Sequence, residues 1–223
     1  MRTLALTAAL LGAQSASPPP APAWPDTPFA RLAALATLQA FQLRLLTEPS
    51  ATAVLDDWCA VHHLAQPGQR IVAQRVVGVD NALPPEMRAA LNVPAGETLR
   101  YRHVRLMCGE RVLSDADNWY VASRLTPDMN HELDTTDESF GRVVKPLNFN
   151  RRTLGARLLW SPLTEGWENA PPPAPGNGLL AIPDHVIENR ALLSTGAGQP
   201  FSIVIERYTS AVLAFPPPPA PAG

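Results

Sequence analysis

Two residues of opposite charge stand out because each sits in an apolar strand. In the stretch Glu97–Leu125, Leu99, Tyr101, His103 and Arg105 alternate with Arg100, Arg102, Val104 and Leu106. Arg102 therefore shares its face with two aliphatic side chains. A guanidinium placed there must be paired or must serve a ligand, because burying it uncompensated is costly. Glu206 follows Ile203-Val204-Ile205 and ends an almost uniformly apolar run. If the two charges meet directly, they form a buried ion pair that says little about function. If they flank a cavity, the arginine offers a forked donor to a ligand carboxylate. The glutamate then accepts from a hydroxyl at the ligand's far end.

Other chemistries lack their residues. No GxSxG, HExxH, phosphate-loop, GxGxxG or paired CxxC pattern occurs. Cys59-x-x-His62-His63 has metal-ligand residue types but no second cluster to complete a site. It reads as a helix end with a buried thiol and surface imidazoles, and no metal or cofactor is expected. Cys59 and Cys108 lie on different predicted elements, so their spacing does not decide whether they pair. Charged residues make up only 17% of the chain and the formal net charge is −2, which sets nucleic-acid binding aside.

The elements that position Arg102 and Glu206 follow from periodicity. Pro28–Leu46 has leucines at helical spacing, with Asp26 or Thr27 as cap, and Thr52 opens a second helix over Ala53–His63. Arg70–Val79 is a Val-rich strand, and Leu83–Leu91 holds a turn or short helix. Around the Cys108-Gly109-Glu110 turn, Glu97–Leu125 folds into a long β-hairpin at the middle of a sheet. Leu125–Leu133 is helical, Ser139–Leu147 follows a further start signal, and Asn150–Trp160 is a strand. Ile182–Leu193 and Phe201–Leu213 form a second hairpin. Together these predict an α+β fold, an antiparallel sheet with flanking helices.

The chain of 223 residues contains 25 prolines, clustered in Ser17–Pro28, Pro171–Pro175 and Pro216–Pro219. One domain is expected over 29–215, with a leader and proline-rich linker over 1–28 and a proline-rich tail over 216–223. Met1-Arg2, the apolar run Leu4–Leu11 and Ala13-Gln14-Ser15 follow the grammar of a secretory signal, and the run is too short for a stable membrane span. A cleaved leader implies a periplasmic or secreted protein. A disordered alanine-rich leader or a misplaced start codon implies a cytoplasmic one.

Four short motifs, in order, resemble the bacterial chorismate pyruvate-lyases. They are Leu45–Thr52, the hairpin segment Arg102–Glu110, Phe140-Gly141-Arg142, and Gly198-Gln199-Pro200 through Glu206, and the resemblance covers roughly Leu38–Phe215. The resemblance implies a chorismate lyase-like fold, shared with the ligand-sensing domain of GntR-type regulators. It implies elimination of pyruvate from chorismate to give 4-hydroxybenzoate at the first committed step of ubiquinone synthesis, without cofactor. It makes Arg102 the partner of the ligand carboxylate, and it makes Glu206 the residue that faces the ring hydroxyl or handles the proton. It places Ala51 and Phe140 where backbone amides complete the carboxylate site. The return strand of the hairpin departs from the family: Asp115 and Asp117 stand where an arginine is usual. If they faced the ligand they would repel a dianion, and they are expected to flank the turn in solvent. His103 reads as ordinary packing. The alternative is a non-catalytic, possibly periplasmic binding protein for a small aromatic carboxylic acid. A third reading leaves the Arg–Glu pair buried and inert. A monomer is expected.

Overall fold

The computed structural model describes residues 23–94 and 96–220, so all but residues 23–28 of the leader and proline-rich linker expected over 1–28 lies outside the described residues. Six antiparallel strands form one sheet: β1 (Val72–Val76), β2 (Arg100–Cys108), β3 (Arg111–Tyr120), β4 (Asn150–Leu158), β5 (His185–Ser194) and β6 (Pro200–Thr209), in the order β1-β2-β3-β6-β5-β4. Both predicted hairpins form, and they join through β3 and β6, which places Ala116 opposite Glu206 and Asn118 opposite Val204. Gly109 turns the first hairpin at φ +57°, a conformation that favours glycine. Beyond Thr209 the second hairpin ends in a 3₁₀ turn rather than continuing to Leu213.

Helices cover one face of the sheet in two groups. At one end lie α1 (Pro28–Thr47), capped by Thr27, and α2 (Ala51–Val61). Their Leu38, Phe41, Leu55 and Trp58 pack on Val104, Leu106 and Tyr208. Each such side chain is worth roughly 1.5–3 kcal/mol on burial. At the other end lie α4 (Pro127–Thr135) and α5 (Phe140–Val143), whose Met129, Leu133 and Phe140 pack on Tyr120, Leu193 and Phe201. A seam between the two groups is left over the middle of the sheet. The opposite face carries α3 (Pro85–Arg88) and a smaller cluster that includes Trp119, Ile203 and Ile205.

Several local expectations are corrected. The second helix starts at Ala51 with Ser50 as its cap, because the Ser50 hydroxyl accepts from the Ala53 N–H; Thr52 is inside the helix. Trp24 packs into the core and donates its indole N–H to the Leu213 carbonyl, so the packed body begins ahead of Phe29. Cys59 and Cys108 are joined in a disulfide, their Cα atoms 6.1 Å apart, because α2 lies across the end of β2. His62 is not a surface imidazole: it is stacked on Phe215 at 3.9 Å and packed on Trp58 at 4.2 Å.

Asp115 and Asp117 do not flank the turn in solvent. They lie on the sheet face opposite Arg102, where Asp117 is buried. Tyr101, His103 and Arg207 all reach Asp117, and His103 Nε2 is also paired with Asp115. Burial opposes ionisation of Asp117, but these partners and Asn81 outweigh it and hold its carboxyl below the ordinary range. His103 is thus part of a polar network rather than ordinary packing. Among the described residues no helix is long and apolar enough to cross a membrane, and no group of three metal-ligating side chains gathers.

Candidate functional site

The seam between the two helical groups encloses a cavity of about 50 Å³, and Ala51, Arg102, Phe140 and Glu206 all line it. The sheet supplies the floor. Period-2 alternation puts Arg102, Val104 and Leu106 of β2 on this face, with Ala116 and Asn118 of β3 and Val204 and Glu206 of β6 beside them. Arg102 and Glu206 stand two strands apart and two residues out of step, which separates their Cα atoms by roughly 12 Å from strand spacing and rise. Their side chains point into the same hollow from opposite ends.

Arg102 is 5% exposed and makes no ion pair among the described residues. Its Nη2 donates to the Glu138 carbonyl at 3.0 Å. Its Nε and Nη1 are buried with no partner. Burial, with the nearby charge of Arg75, pushes the guanidinium below its ordinary pKa, although an arginine stays charged in proteins. Ala51 begins α2 and Phe140 begins α5. Their backbone N–H groups therefore have no acceptor within their own helices. A forked cation beside amide donors left free by the helix starts has the donor geometry to hold one carboxylate.

Arg142 fixes this arrangement without lining the cavity. It donates two hydrogen bonds to Asp56 of α2 at 2.6 and 2.8 Å, one to Glu138, and one to the Ile71 carbonyl at 2.7 Å. Gly141 lets the two helix starts approach: a Cβ there would meet Thr52 Oγ1 at 3.3 Å and Ser50 Oγ at 3.4 Å.

The far end differs from the sequence expectation. Glu206 is not a lone acceptor, because Arg151 of the edge strand β4 donates Nη2 to its Oε2 at 2.5 Å. Tyr208 donates its hydroxyl to the same oxygen at 3.0 Å. Oε1 accepts nothing among the described residues. Both partners of the Arg151–Glu206 pair have under a tenth of their side chains exposed. Burial opposes the charge on Arg151, but the adjacent carboxylate and phenol outweigh it and raise its pKa. Tyr208, fully buried beside that carboxylate, is pushed well above the ordinary phenol value and stays a neutral donor. Asn118 also lines the cavity, its carbonyl oxygen accepting from Ser202 at 2.9 Å.

Tyr208 was legible, since it lies two residues beyond Glu206 and so on the same face. Arg151 was not. The β4–β5 pairing contains an irregularity between Thr153 and Gly155, and only the folded register brings Arg151 to Glu206.

Fold and site together define a class: an α+β domain with a small cavity, lined by the buried Arg102, between sheet and helices. The chain is 52% identical over 196 residues to "Uncharacterized protein y4mC" of Sinorhizobium fredii (strain NBRC 101917 / NGR234), covering 87% of this chain and 83% of that protein, and it belongs to the same family. No family model matches it. Among solved structures it is similar to the possible transcriptional regulator YydK of Bacillus subtilis subsp. subtilis str. 168, at 15% identity and a TM-score of 0.39 over 65% of this chain and 61% of that one. A transcriptional regulator of the GntR family from Enterococcus faecalis V583 matches at 12% identity and a TM-score of 0.39, over 62% of this chain and 94% of that one.

Proposed function

We propose that this protein binds a small organic carboxylate, of the class of hydroxylated aromatic acids, and does so as a binding protein. The observation that carries this reading is Arg102. It is a buried cation with no ion-pair partner among the described residues, and two of its three guanidinium nitrogens are unpartnered beside a cavity. A protein gains nothing in stability from such a group, so the missing partner is an anion supplied from outside. Glu206 supports a hydroxyl at the other end of the ligand, through its uncommitted Oε1.

The cavity holds about 50 Å³, while a cavity of about 150 Å³ is known to admit benzene. A ring therefore enters with outward movement of lining side chains. A recess of about 530 Å³ adjoins the cavity through Pro49, Ser50, Gly141 and Phe149 and gives that movement room.

The resemblance to chorismate pyruvate-lyases supports a second reading, elimination of pyruvate from chorismate with Arg102 and Glu206 as catalytic residues. Binding without turnover is favoured because chorismate carries two carboxylates and the cavity presents one uncompensated cation. The Cys59–Cys108 disulfide supports export to an oxidising compartment, as the signal-like leader does.

Thermal unfolding of the purified chain with 4-hydroxybenzoate tests the binding reading. A ligand at about a hundred times its dissociation constant stabilises by roughly 2.7 kcal/mol. A shift that Arg102→Ala abolishes is the expected result, and no shift in the unaltered chain refutes it. Release of pyruvate from chorismate in the same preparation makes the protein a lyase instead.

A further inference from the structure

Resting on the carboxylate-binding reading, we infer that the Arg151–Glu206 pair is a charge filter that restricts the cavity to monoanions, with Arg151 as a specificity-determining residue. What decides it is charge balance among side chains that are themselves buried. Three ionised groups face the cavity: Arg102, Arg151 and Glu206. Arg151 and Glu206 neutralise each other at 2.5 Å, which leaves a net charge of one, carried by Arg102. A ligand with a single carboxylate at Arg102 brings the filled site to neutrality.

A second carboxylate at the opposite end would face the Glu206 carboxylate in a low-dielectric environment, where like charges repel strongly. Arg151 cannot relieve this freely, because it already serves Glu206. A neutral hydroxyl meets no such penalty and can donate to Oε1. Tyr208 reinforces the filter. Its hydroxyl and the Arg151 guanidinium both donate to Oε2, so one carboxylate oxygen is committed and Oε1 is left without a donor among the described residues. The Nε of Arg151 is buried without a partner, so its guanidinium is not fully satisfied by Glu206. Removing the Glu206 charge thus releases a cation placed to receive a second ligand carboxylate.

The test compares two probes built on the same benzoate ring, 4-hydroxybenzoate and terephthalate, which differ at the para position by a hydroxyl against a carboxylate. Titration calorimetry on the full chain is expected to give at least about tenfold tighter binding of 4-hydroxybenzoate. Glu206→Gln keeps the shape, leaves Arg151 unpaired, and is expected to reverse the preference. Where that single variant fails to fold, Arg151→Gln combined with Glu206→Gln removes both charges and keeps the net charge of the cavity. With the repelling carboxylate gone and no cation released in its place, this double variant is expected to narrow the preference for the monoanion without reversing it.

Equal binding of the two acids by the unaltered chain overturns the filter while leaving the carboxylate reading in place. An unchanged preference in folded Glu206→Gln does the same, as does an undiminished preference in the double variant. Binding of neither acid by the unaltered chain overturns the carboxylate reading and the filter with it.

Discussion

Arg102 and Glu206 lie on the same face of the sheet, on strands separated by β3, and line one cavity from opposite ends. They are not each other's partner. Glu206 is neutralised by Arg151, while Arg102 has no carboxylate within ion-pair reach among the described residues. That asymmetry is the basis for the proposed ligand site, since a purely structural pair would leave neither charge without a partner. Three predictions follow from the physical reasons behind it and from the two bonding networks that hold the surrounding sheet and helices.

Arg102→Met should stabilise the protein while abolishing carboxylate binding. Methionine occupies a similar volume and leaves no unpartnered donors. An unsatisfied buried polar group costs about 1–3 kcal/mol, more when charged. The melting temperature is therefore expected to rise or stay level, and 4-hydroxybenzoate to give no shift. A large fall in melting temperature would mean that the arginine is structural.

Reduction of Cys59–Cys108 should weaken the fold substantially. The bridge closes a loop across a sequence separation of 49 residues. Chain-entropy reasoning assigns such a loop about 4 kcal/mol. Denaturant unfolding with and without reductant measures the difference. Thiol labelling of the unreduced, denatured chain should find neither cysteine free. Because the bridge ties the last turn of α2 to the end of β2, its loss should also weaken ligand binding at the other end of the same helix. Labelling of both cysteines without reductant would remove the argument for an oxidising compartment.

Stability should fall as pH drops below about 4, and the polar network on the far sheet face sets the sign. Burial opposes ionisation of Glu188, but Arg190, Arg157 and Arg207 outweigh it and hold its carboxyl below the usual range, as the partners of Asp117 do for that residue. Both groups therefore take up protons at lower pH in the folded chain than in the unfolded one. Their stabilisation is fully present above the ordinary carboxylate range and is lost as pH falls through the lowered folded values. Melting temperatures between pH 7 and pH 2 should show this slope. Asp117→Asn should flatten it in part, and an unchanged slope would show that the network contributes nothing.

Much of this arrangement was written in local pattern. Period-2 alternation set Arg102 beside Val104 and Leu106, and the apolar run before Glu206 marked it as a charge in a buried strand, because strand geometry alone decides which side chains share a face. Leucine spacing located α1, and the glycine turns located both hairpins. Other features depended on contacts between distant segments, for which a single sequence carries no pattern. Those were the pairing of β3 with β6 that puts Arg102 and Glu206 over one hollow, the docking of α2 that brings Cys59 to Cys108, and the register of β4 that delivers Arg151 to Glu206. Asp115 and Asp117 show the same boundary. Alternation put them on the face away from Arg102, but only the approach of Arg207 from β6 turned two apparent turn residues into the centre of a buried ionic network.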